Sequence, residues 1–335
     1  MDDNKFNKNL ETKKSLQYIT PKIELIDKYL KKVPKDVLKE PEFRKYTNKP
    51  FKKTEYAYTS LLMVSEEYLP AILVLGYTLR KYKNKYNVVC MVQDKPTHKI
   101  INGEKKYFPG VSKNSIDEIL KIYDVVYGVD LIKTITHFGK YHFTEQLKHY
   151  KNISVYTTKS QVFGLLDYKR VLFLDASLVV HKNIDYLFTE YSGNTFLNEK
   201  SLDKSGMGLN GSVFIIQPSK YYYNKALLLS KYYAEIFKNY YLSRGIDEII
   251  LYFTIYPDWS NKLIKLYTRC VEKLFYKHCP IYNYQIHKPF KVSVNEMSNS
   301  ITFKIWDKFA KELLTKYPYF LKYFKHIRSF RNVDF

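Results

Sequence analysis

Cysteine is scarce in this sequence, with three residues in 335. Cys90, Cys270 and Cys279 are too few for a disulfide framework, and none stands in the paired C-x-x-C spacing of a zinc site. No stretch approaches the roughly 18 uncharged apolar residues that a membrane-spanning helix needs, and the start of the chain lacks the apolar core of a signal peptide. We therefore expect a soluble, cytoplasmic protein without a transmembrane segment.

Arginine is also scarce, with seven residues against 48 lysines. The net charge of +22 and the 34 tyrosines would suit a nucleic-acid partner, since cations displace counterions and aromatic rings stack on bases. Arginine, however, is the residue that makes bidentate contacts to phosphate and guanine. Lys, Tyr, Asn and Ile share A/T-rich codons, so a coding bias accounts for this profile. We expect no specific nucleic-acid partner and rank that function last.

Hydrophobic runs in the first half of the chain alternate between strand and helix patterns. Apolar runs at 57–64 and 87–94 predict two strands, and the segment 70–82 between them predicts a helix. Residues 115–130 predict a short helix followed by a third strand that ends at Val129. A β-α-β-α-β order implies an α/β fold with a mostly parallel sheet. Ligands of such a sheet bind outside the carboxyl ends of its strands.

The second half continues this pattern and ends in a helical tail. Residues 154–166 predict a helix that leads to the strand region 170–180, and LNGSVFIIQPS (209–219) predicts a strand before a long Tyr-rich helix. We divide the chain into an N-terminal extension (1–53), one folded unit (54–290) and a helical C-terminal extension (291–335). The spacing of Trp306, Phe309 and Leu313 predicts that this extension packs on the core.

The segment RVLFLDASLVVHKNIDYLF (170–188) carries the clearest chemical signal. Its apolar strand delivers Asp175 at the carboxyl end, where the active sites of α/β proteins lie. A carboxylate there can hold a hard divalent cation, which would neutralise a diphosphate leaving group. An aspartate at a strand end can equally cap the following turn, so the local pattern leaves both roles open.

Six motifs in order resemble glycosyltransferase family 8, the glycogenin-like enzymes. FLDASLVVHKNIDYLF resembles the family's "FLDAD…NIDELF", YTSLLMVSEEYLPAILVLGYTL its opening strand and helix, and LNGSVFIIQPS its "NSGVFVYQPS" strand. Thr158-Lys159 precedes the strand 170–174 at the spacing found in the family. Gly245-Ile246-Asp247-Glu248 occupies the position of the family's "GADQ", and Cys279–Asn283 is similar to its "LPFIYN". The resemblance covers roughly residues 58–290 and implies a GT-A, Rossmann-like fold.

The resemblance also implies a role for each matching residue. Leu62, Val64, Ser65 and Tyr68 would line a uridine pocket, with Tyr68 on the base, and Ala176 would lie beside the nucleotide. Asp175, Ser177 and His287 would bind Mn²⁺ or Mg²⁺. Lys288 would grip the diphosphate, and the catalytic group around the transferred sugar would be Lys159, Asn210, Asp247 and Glu248.

Several positions depart from the family pattern. Ser177 replaces the second metal-binding aspartate, which takes one negative charge from the metal site. QIHKPF contracts the family's "HFxGxxKPW" and makes His287 and Lys288 adjacent, and His287 is equally well explained as a surface histidine. Val64 and Ser65 replace a polar pair that contacts uracil, and Glu248 replaces a glutamine.

These features support two hypotheses about the function. The first is a retaining, metal-dependent transferase that moves a hexose, with glucose as the leading choice, from a UDP-sugar to a hydroxyl group of a protein, of itself or of a glycan. The second is a nucleotide-sugar or glycan-binding protein that has kept the fold and lost catalysis. The sequence leaves a homodimer open.

Overall fold

Eight strands between residues 44 and 262 form one sheet, and its central strands are apolar. The computed structural model describes residues 24, 27–28, 31, 39–63, 66–101, 104–132, 156–197, 211–232, 236, 246–255, 259–262, 280–283, 290, 301–325 and 327. Within these residues the strands are β1 Arg44–Tyr46, β2 Tyr56–Leu62, β3 Asn87–Val92, β4 Thr97–Ile101, β5 Glu104–Phe108, β6 Val125–Gly128, β7 Arg170–Leu174, β8 Leu178–Val180, β9 Asn194–Leu197, β10 Val213–Ile216, β11 Trp259–Lys262 and β12 Ile281–Asn283.

The helices cover both faces of that sheet. They are α1 Leu69–Lys81, α2 Lys113–Ile119, α3 Leu187–Glu190, α4 Lys220–Lys231, α5 Ile246–Ile255, α6 Ile301–Lys316 and α7 Leu321–Phe324, with 3₁₀ turns at Glu66–Tyr68, Thr158–Gly164 and Pro318–Phe320. Among the described residues, no helix combines the length and the apolar content needed to cross a bilayer.

The sheet is mixed and mostly parallel, as the strand and helix pattern predicts. Its strand order is β1-β6-β3-β2-β7-β10-β9-β11. The adjacent strands β6, β3, β2 and β7 run parallel, whereas β10 runs antiparallel to both of its neighbours. The carboxyl ends of the four parallel strands therefore meet at one edge, where a ligand of this architecture is expected.

Alternate residues of the strands enter two cores, one on each face of the sheet. In β3, Val88 belongs to the core beneath α1, whereas Val89 belongs to the opposite core. The C-terminal helix α6 packs on the first face, where Trp306, Phe309 and Leu313 are buried as their spacing predicts. The 3₁₀ turn 158–164, α4 and α5 pack together on the second face.

The predicted strand region 170–180 forms two separate strands, and the first of them has five residues. β7 ends at Leu174, the Asp175 N–H bonds the carbonyl of Ser212, and the Asp175 carbonyl accepts from the Leu178 N–H. β8 then leaves the main sheet and pairs antiparallel with β12. Asp175 thus lies in a turn at the carboxyl edge, held by its backbone groups.

The segment 154–166 folds as a 3₁₀ turn over Thr158–Gly164 where the sequence predicts an ordinary helix. Tertiary packing explains the difference. A Cβ on Gly164 would lie 2.8 Å from the Phe43 ring and 2.9 Å from the Tyr223 ring, so this backbone is pressed between two aromatic residues. Apolar spacing alone does not distinguish the two helix types.

Strand β1 adds the segment before residue 54 to the sheet, pairing antiparallel with β6. It carries Arg44 to the carboxyl edge, where the guanidinium Nε lies 2.7 Å from Asp94 Oδ2. The Tyr46 hydroxyl donates to the same oxygen at 2.6 Å. Burial opposes the charged form of Asp94, but these hydrogen bonds prevail and lower the pKa of Asp94 below its ordinary value.

Substitution of Arg44 by alanine is expected to reduce the free energy of unfolding by about 2 kcal/mol at pH 7, because the buried Asp94 carboxylate loses its cation. Folding lowers the pKa of Asp94, so the ion pair stabilises the folded protein fully at pH values above about 4, the pKa of this carboxyl group in the unfolded chain. The stabilisation is lost as the pH falls through the lower pKa that Asp94 has in the folded protein. Urea unfolding should therefore separate wild type and variant more at pH 7 than at pH 3. The exposed pair Lys53–Asp167 gives the control, because Lys53→Ala should cost below about 0.5 kcal/mol. A pH-independent Arg44 effect would contradict the assignment.

Candidate active site

Three distant parts of the chain bring charged side chains to the carboxyl edge of the sheet. Asp175 follows β7, Lys159 comes from the 3₁₀ turn 158–164, and Asp247 and Glu248 lie in the first turn of α5. Gly211 precedes β10, which runs beside β7. Strand order thus places near one another residues that are widely separated in sequence.

The Lys159 ammonium is the centre of this group. Its Nζ lies 2.5 Å from Asp247 Oδ2 and 3.6 Å from Asp175 Oδ2, and it donates to the Gly211 carbonyl at 3.2 Å. The Lys159 and Asp247 side chains are 12% and 13% exposed, whereas the Asp175 side chain is 36% exposed. The ion pair is therefore sheltered, and Asp175 faces the solvent side.

The charge of Lys159 is fixed by its carboxylate neighbours. Burial acts to lower the pKa of this amine, but the negative charges of Asp247 and Asp175 outweigh burial and raise the pKa above its ordinary value. Lys159 consequently stays protonated at physiological pH. It can offset negative charge on a ligand, and it is unsuited to act as a general base.

Glu248 and Gly211 complete the group. Glu248 Oε1 accepts the Gly211 N–H at 3.0 Å. A Cβ placed on Gly211 would lie 3.0 Å from Glu248 Cγ, 3.4 Å from Asp247 Oδ2 and 3.7 Å from Lys159 Nζ. Three of the residues assigned to the catalytic group therefore converge on a single point beside a glycine backbone.

Several residues predicted to bind the nucleotide lie near the carboxyl ends of β2 and β7. Leu62 is fully buried there, and Ala176 and Ser177 are buried in the turn after β7. Tyr68 is half-buried, and its ring packs edge-on against Phe290 with centroids 5.0 Å apart. The predicted residues Val64, Ser65, Asn210, His287 and Lys288 lie outside the described residues.

Solved structures share this architecture. The galactosyltransferase LgtC, in complex with donor and acceptor sugar analogues, matches with a TM-score of 0.51 and 12% identity, covering 80% of this chain and 99% of LgtC. The bifunctional glycosyltransferase WbbM matches with a TM-score of 0.52 and 11% identity, covering 84% of this chain and 53% of WbbM. The chain has a GT-A glycosyltransferase fold.

Two curated sequences are similar to parts of the chain, and no family model matches it. The inositol phosphorylceramide glucuronosyltransferase 1 of Arabidopsis thaliana is 28% identical over 214 residues, which are 62% of this chain and 31% of that protein. The uncharacterized protein R707 of Acanthamoeba polyphaga mimivirus is 27% identical over 135 residues, or 40% of each chain. The chain thus spans less than half the length of these relatives.

GT-A glycosyltransferases typically use a divalent metal ion, so the donor atoms of this site need to suit one. No cluster of three or more His, Cys, Asp or Glu side chains that could hold a metal occurs within the described residues. Asp175 supplies one partly exposed carboxylate. One carboxylate suits a cation such as Mg²⁺, which commonly takes one or two protein ligands together with substrate phosphates and water. Among the described residues of this site, Asp175 thus offers a carboxylate of the kind that such a cation takes as a ligand.

Gly211 is the site residue that the sequence motifs did not indicate as a candidate. Its backbone contacts both Lys159 and Glu248, through its carbonyl and its N–H respectively. The available signal was the glycine between Asn210 and the buried strand β10, a position where a ligand or side chain can approach the backbone closely.

Proposed function

We propose that the protein is a retaining glycosyltransferase that moves a hexose, with glucose as the leading candidate, from a UDP-sugar to a hydroxyl acceptor. One observation carries the proposal: the protonated Lys159 stands between Asp175 and Asp247 at the carboxyl edge of a GT-A sheet. This arrangement offers one positive group for a diphosphate and one carboxylate for the sugar. The relative named as a glucuronosyltransferase adds support for glycosyl transfer.

The donor diphosphate would bind between Asp175 and Lys159. A divalent ion, Mn²⁺ or Mg²⁺, would be held by Asp175 and would supply charge neutralisation for the departing diphosphate. Lys159 would offset the remaining charge as it develops, because its amine stays protonated. His287 and Lys288 are proposed as a further metal ligand and a further phosphate contact.

The sugar would lie against Asp247, Glu248 and Asn210. The bond between C1 and the β-phosphate oxygen breaks, a bond from C1 to the acceptor oxygen forms on the same face, and the hydroxyl proton passes to the leaving phosphate. Asp247 would act on the positive charge that develops at C1, either as a transient nucleophile or as an electrostatic stabiliser. Leu62, Val64, Ser65 and Tyr68 are proposed to hold the uridine, and Ala176 and Ser177 to border it.

Intact-mass spectrometry tests the proposal directly. The full chain is incubated with individual UDP-sugars and Mn²⁺, alone and with candidate protein or glycan acceptors. A ladder of hexose additions on the chain would show the donor, the activity and self-acceptance together. Failure to bind UDP, to hydrolyse a UDP-sugar and to modify any acceptor would contradict the proposal.

A second candidate function is nucleotide-sugar binding without catalysis. Ser177, which replaces a metal-binding carboxylate of the family pattern, is buried with 5% exposure, and this favours a weakened metal site. Calorimetry with UDP and Mn²⁺, run beside a UDP-glucose hydrolysis assay, distinguishes the two functions. Binding without turnover would favour the second.

Alanine at Gly211 should impair activity more than stability. Its Cβ would lie 3.0 Å from Glu248 Cγ, so the Glu248 side chain must shift by a few tenths of an ångström, and it would be in contact with Asp247 Oδ2 at 3.4 Å. We expect kcat/KM for UDP-sugar turnover to fall about tenfold, since small displacements of positioned groups are costly. Gly193→Ala is the contrasting control, because Gly193 has a φ of +74° and no neighbour within 4 Å of a Cβ. That variant should lose about 1 kcal/mol of stability and keep its activity.

A further inference from the structure

The 3₁₀ turn Glu66–Tyr68 lies between the carboxyl end of β2 and α1, and it is fixed to a distant part of the chain. Glu66 Oε1 accepts the Ser112 N–H at 2.9 Å and the Ser115 hydroxyl at 2.7 Å. Both serines lie at the start of α2, 46 and 49 residues further along the chain. One carboxylate oxygen therefore holds the turn against α2 through two hydrogen bonds.

The Glu66 carboxylate keeps its charge in this position. Burial acts to raise the pKa of Glu66, but the hydrogen bonds from Ser112 and Ser115 outweigh burial and lower the pKa below its ordinary value. A charged acceptor makes stronger hydrogen bonds than a neutral one, and loss of such a bond changes an equilibrium by about tenfold or more. The contact with α2 is thus strong enough to determine the position of a short turn.

Tyr68 stands at the other end of the same turn. Its half-buried ring packs edge-on against Phe290, with the ring centroids 5.0 Å apart. A 3₁₀ helix has three residues per turn, so side chains two positions apart leave the backbone in different directions. Glu66 therefore secures the backbone of the turn on α2, and Tyr68 extends from that backbone to Phe290.

We propose that Glu66 is a positioning residue, which holds Tyr68 where its ring binds the base of the nucleotide donor. The inference rests on the proposed function, which assigns Tyr68 to the uridine, and it adds a residue to which the family motifs gave no role. Without Glu66, only a fraction of the molecules would hold the turn in the binding conformation, and the apparent affinity would fall by that fraction.

The effect belongs to binding because the base is distant from the bonds that react. Those bonds lie at C1 of the sugar and at the β-phosphate, so contacts with the base are equally strong in the bound donor and in the transition state. Loss of such uniform binding raises KM and leaves kcat unchanged.

Calorimetry with UDP and Mn²⁺, together with UDP-sugar turnover, tests the proposal. In Glu66→Ala, Kd for UDP and KM should rise about tenfold, with kcat within about twofold of wild type. Glu66→Gln keeps an acceptor oxygen and should recover most of the affinity. Asp124→Ala is the matched control, because Asp124 is also a partly buried carboxylate, which accepts the Val88 N–H at 2.8 Å and pairs with Arg80 at the opposite edge of the sheet. This control should lower the melting temperature and keep the Kd for UDP.

A double-mutant cycle with Tyr68→Leu shows whether Glu66 acts through Tyr68. Glu66→Ala should raise Kd about tenfold in wild type and less than about twofold in the Tyr68→Leu background, because the ring to be positioned is already absent. Equal effects in both backgrounds overturn the inference. A Tyr68→Leu variant with wild-type affinity for UDP contradicts the assignment of Tyr68 to the uridine, and the inference falls with it.

The outcomes separate the inference from the proposed function. Wild-type Kd and KM in a folded Glu66→Ala variant, or a fall in kcat at unchanged KM, overturns the inference and leaves glycosyl transfer standing. An equal rise in Kd for Glu66→Ala and Asp124→Ala shows a general loss of stability and also overturns it. Absence of UDP binding to wild type overturns the proposed function itself. If Glu66→Ala does not fold, Ser115→Ala removes one of the two hydrogen bonds and should raise Kd about threefold, and an unchanged Kd then overturns the inference.

Discussion

Methionine at Lys159 is expected to lower kcat/KM for UDP-sugar turnover about 1000-fold. The substitution keeps the apolar stem of the side chain and removes the ammonium that lies 2.5 Å from Asp247 and 3.6 Å from Asp175. The departing diphosphate then loses one fixed positive charge, and removal of one such group typically costs 100- to 1000-fold. The two carboxylates also lose their common partner and repel the anionic donor.

The loss should appear in kcat as well as in KM. A charge that acts on the leaving group is worth more in the transition state than in the bound donor, so its removal lowers both kcat and kcat/KM. Lys159 is buried, and breaking its ion pair will also destabilise the fold by a few kcal/mol. Thermal unfolding must therefore confirm that the assayed variant is folded.

Lys169→Met provides the matched control for Lys159. Lys169 is 76% exposed and forms an ion pair with the exposed Glu55. This variant makes the same chemical change ten residues away in sequence and should keep wild-type kcat. A variant of Lys159 that is folded and turns over UDP-sugar at the wild-type rate would overturn the assignment of this amine.

Of the candidate site, the strand pattern alone predicted the place of Asp175. Asp175 comes directly after an apolar strand, and parallel strands place such positions at one edge. Lys159 and Asp247 could be assigned only through the family resemblance. They are 88 residues apart, and no periodicity connects them. The family motifs predicted that Lys159 and Asp247 belong to one site, which no local sequence pattern indicates.

Other features depend on contacts that no local pattern contains. The 3₁₀ turn 158–164 ends at Gly164, which packs against aromatic residues from distant parts of the chain. The short strand β8 exists because β12 pairs with it, about 100 residues later. Strand β1 is a three-residue segment in a polar, proline-broken region, and pairing with β6 stabilises it. In each case tertiary packing decides the local conformation.

The charge of the candidate site differs from the net charge of the chain. The net charge of +22 is distributed over the whole sequence, yet among the described residues the candidate site places three carboxylates near the buried ammonium of Lys159. Overall charge therefore says little about the ligand. The arrangement of individual groups, in which Lys159 pairs with Asp247 and Asp175 remains partly exposed, is more informative about the ligand.

Asparagine at Asp175 is expected to reduce UDP-sugar hydrolysis by 100-fold or more while the fold is retained. The turn at this position uses the Asp175 N–H and carbonyl, which bond Ser212 and Leu178, and the substitution preserves both. The side chain itself is partly exposed, and its ion-pair partner Lys159 lies 3.6 Å away, so one side of the carboxylate is open to a metal. Loss of that charge should weaken the apparent affinity for Mn²⁺ at least tenfold, because hard cations prefer charged oxygen ligands.

A titration of UDP-sugar hydrolysis against Mn²⁺ measures this effect for Asp175→Asn and for Asp117→Asn. Asp117 is an exposed aspartate on α2, and its substitution removes the same charge at a distance from the strand ends. Wild type and the Asp117 variant should share one Mn²⁺ dependence, whereas the Asp175 variant should need more Mn²⁺ and still turn over slowly. Unchanged turnover and an unchanged Mn²⁺ requirement in Asp175→Asn would exclude this carboxylate from the metal site and would transfer the role to residues near His287.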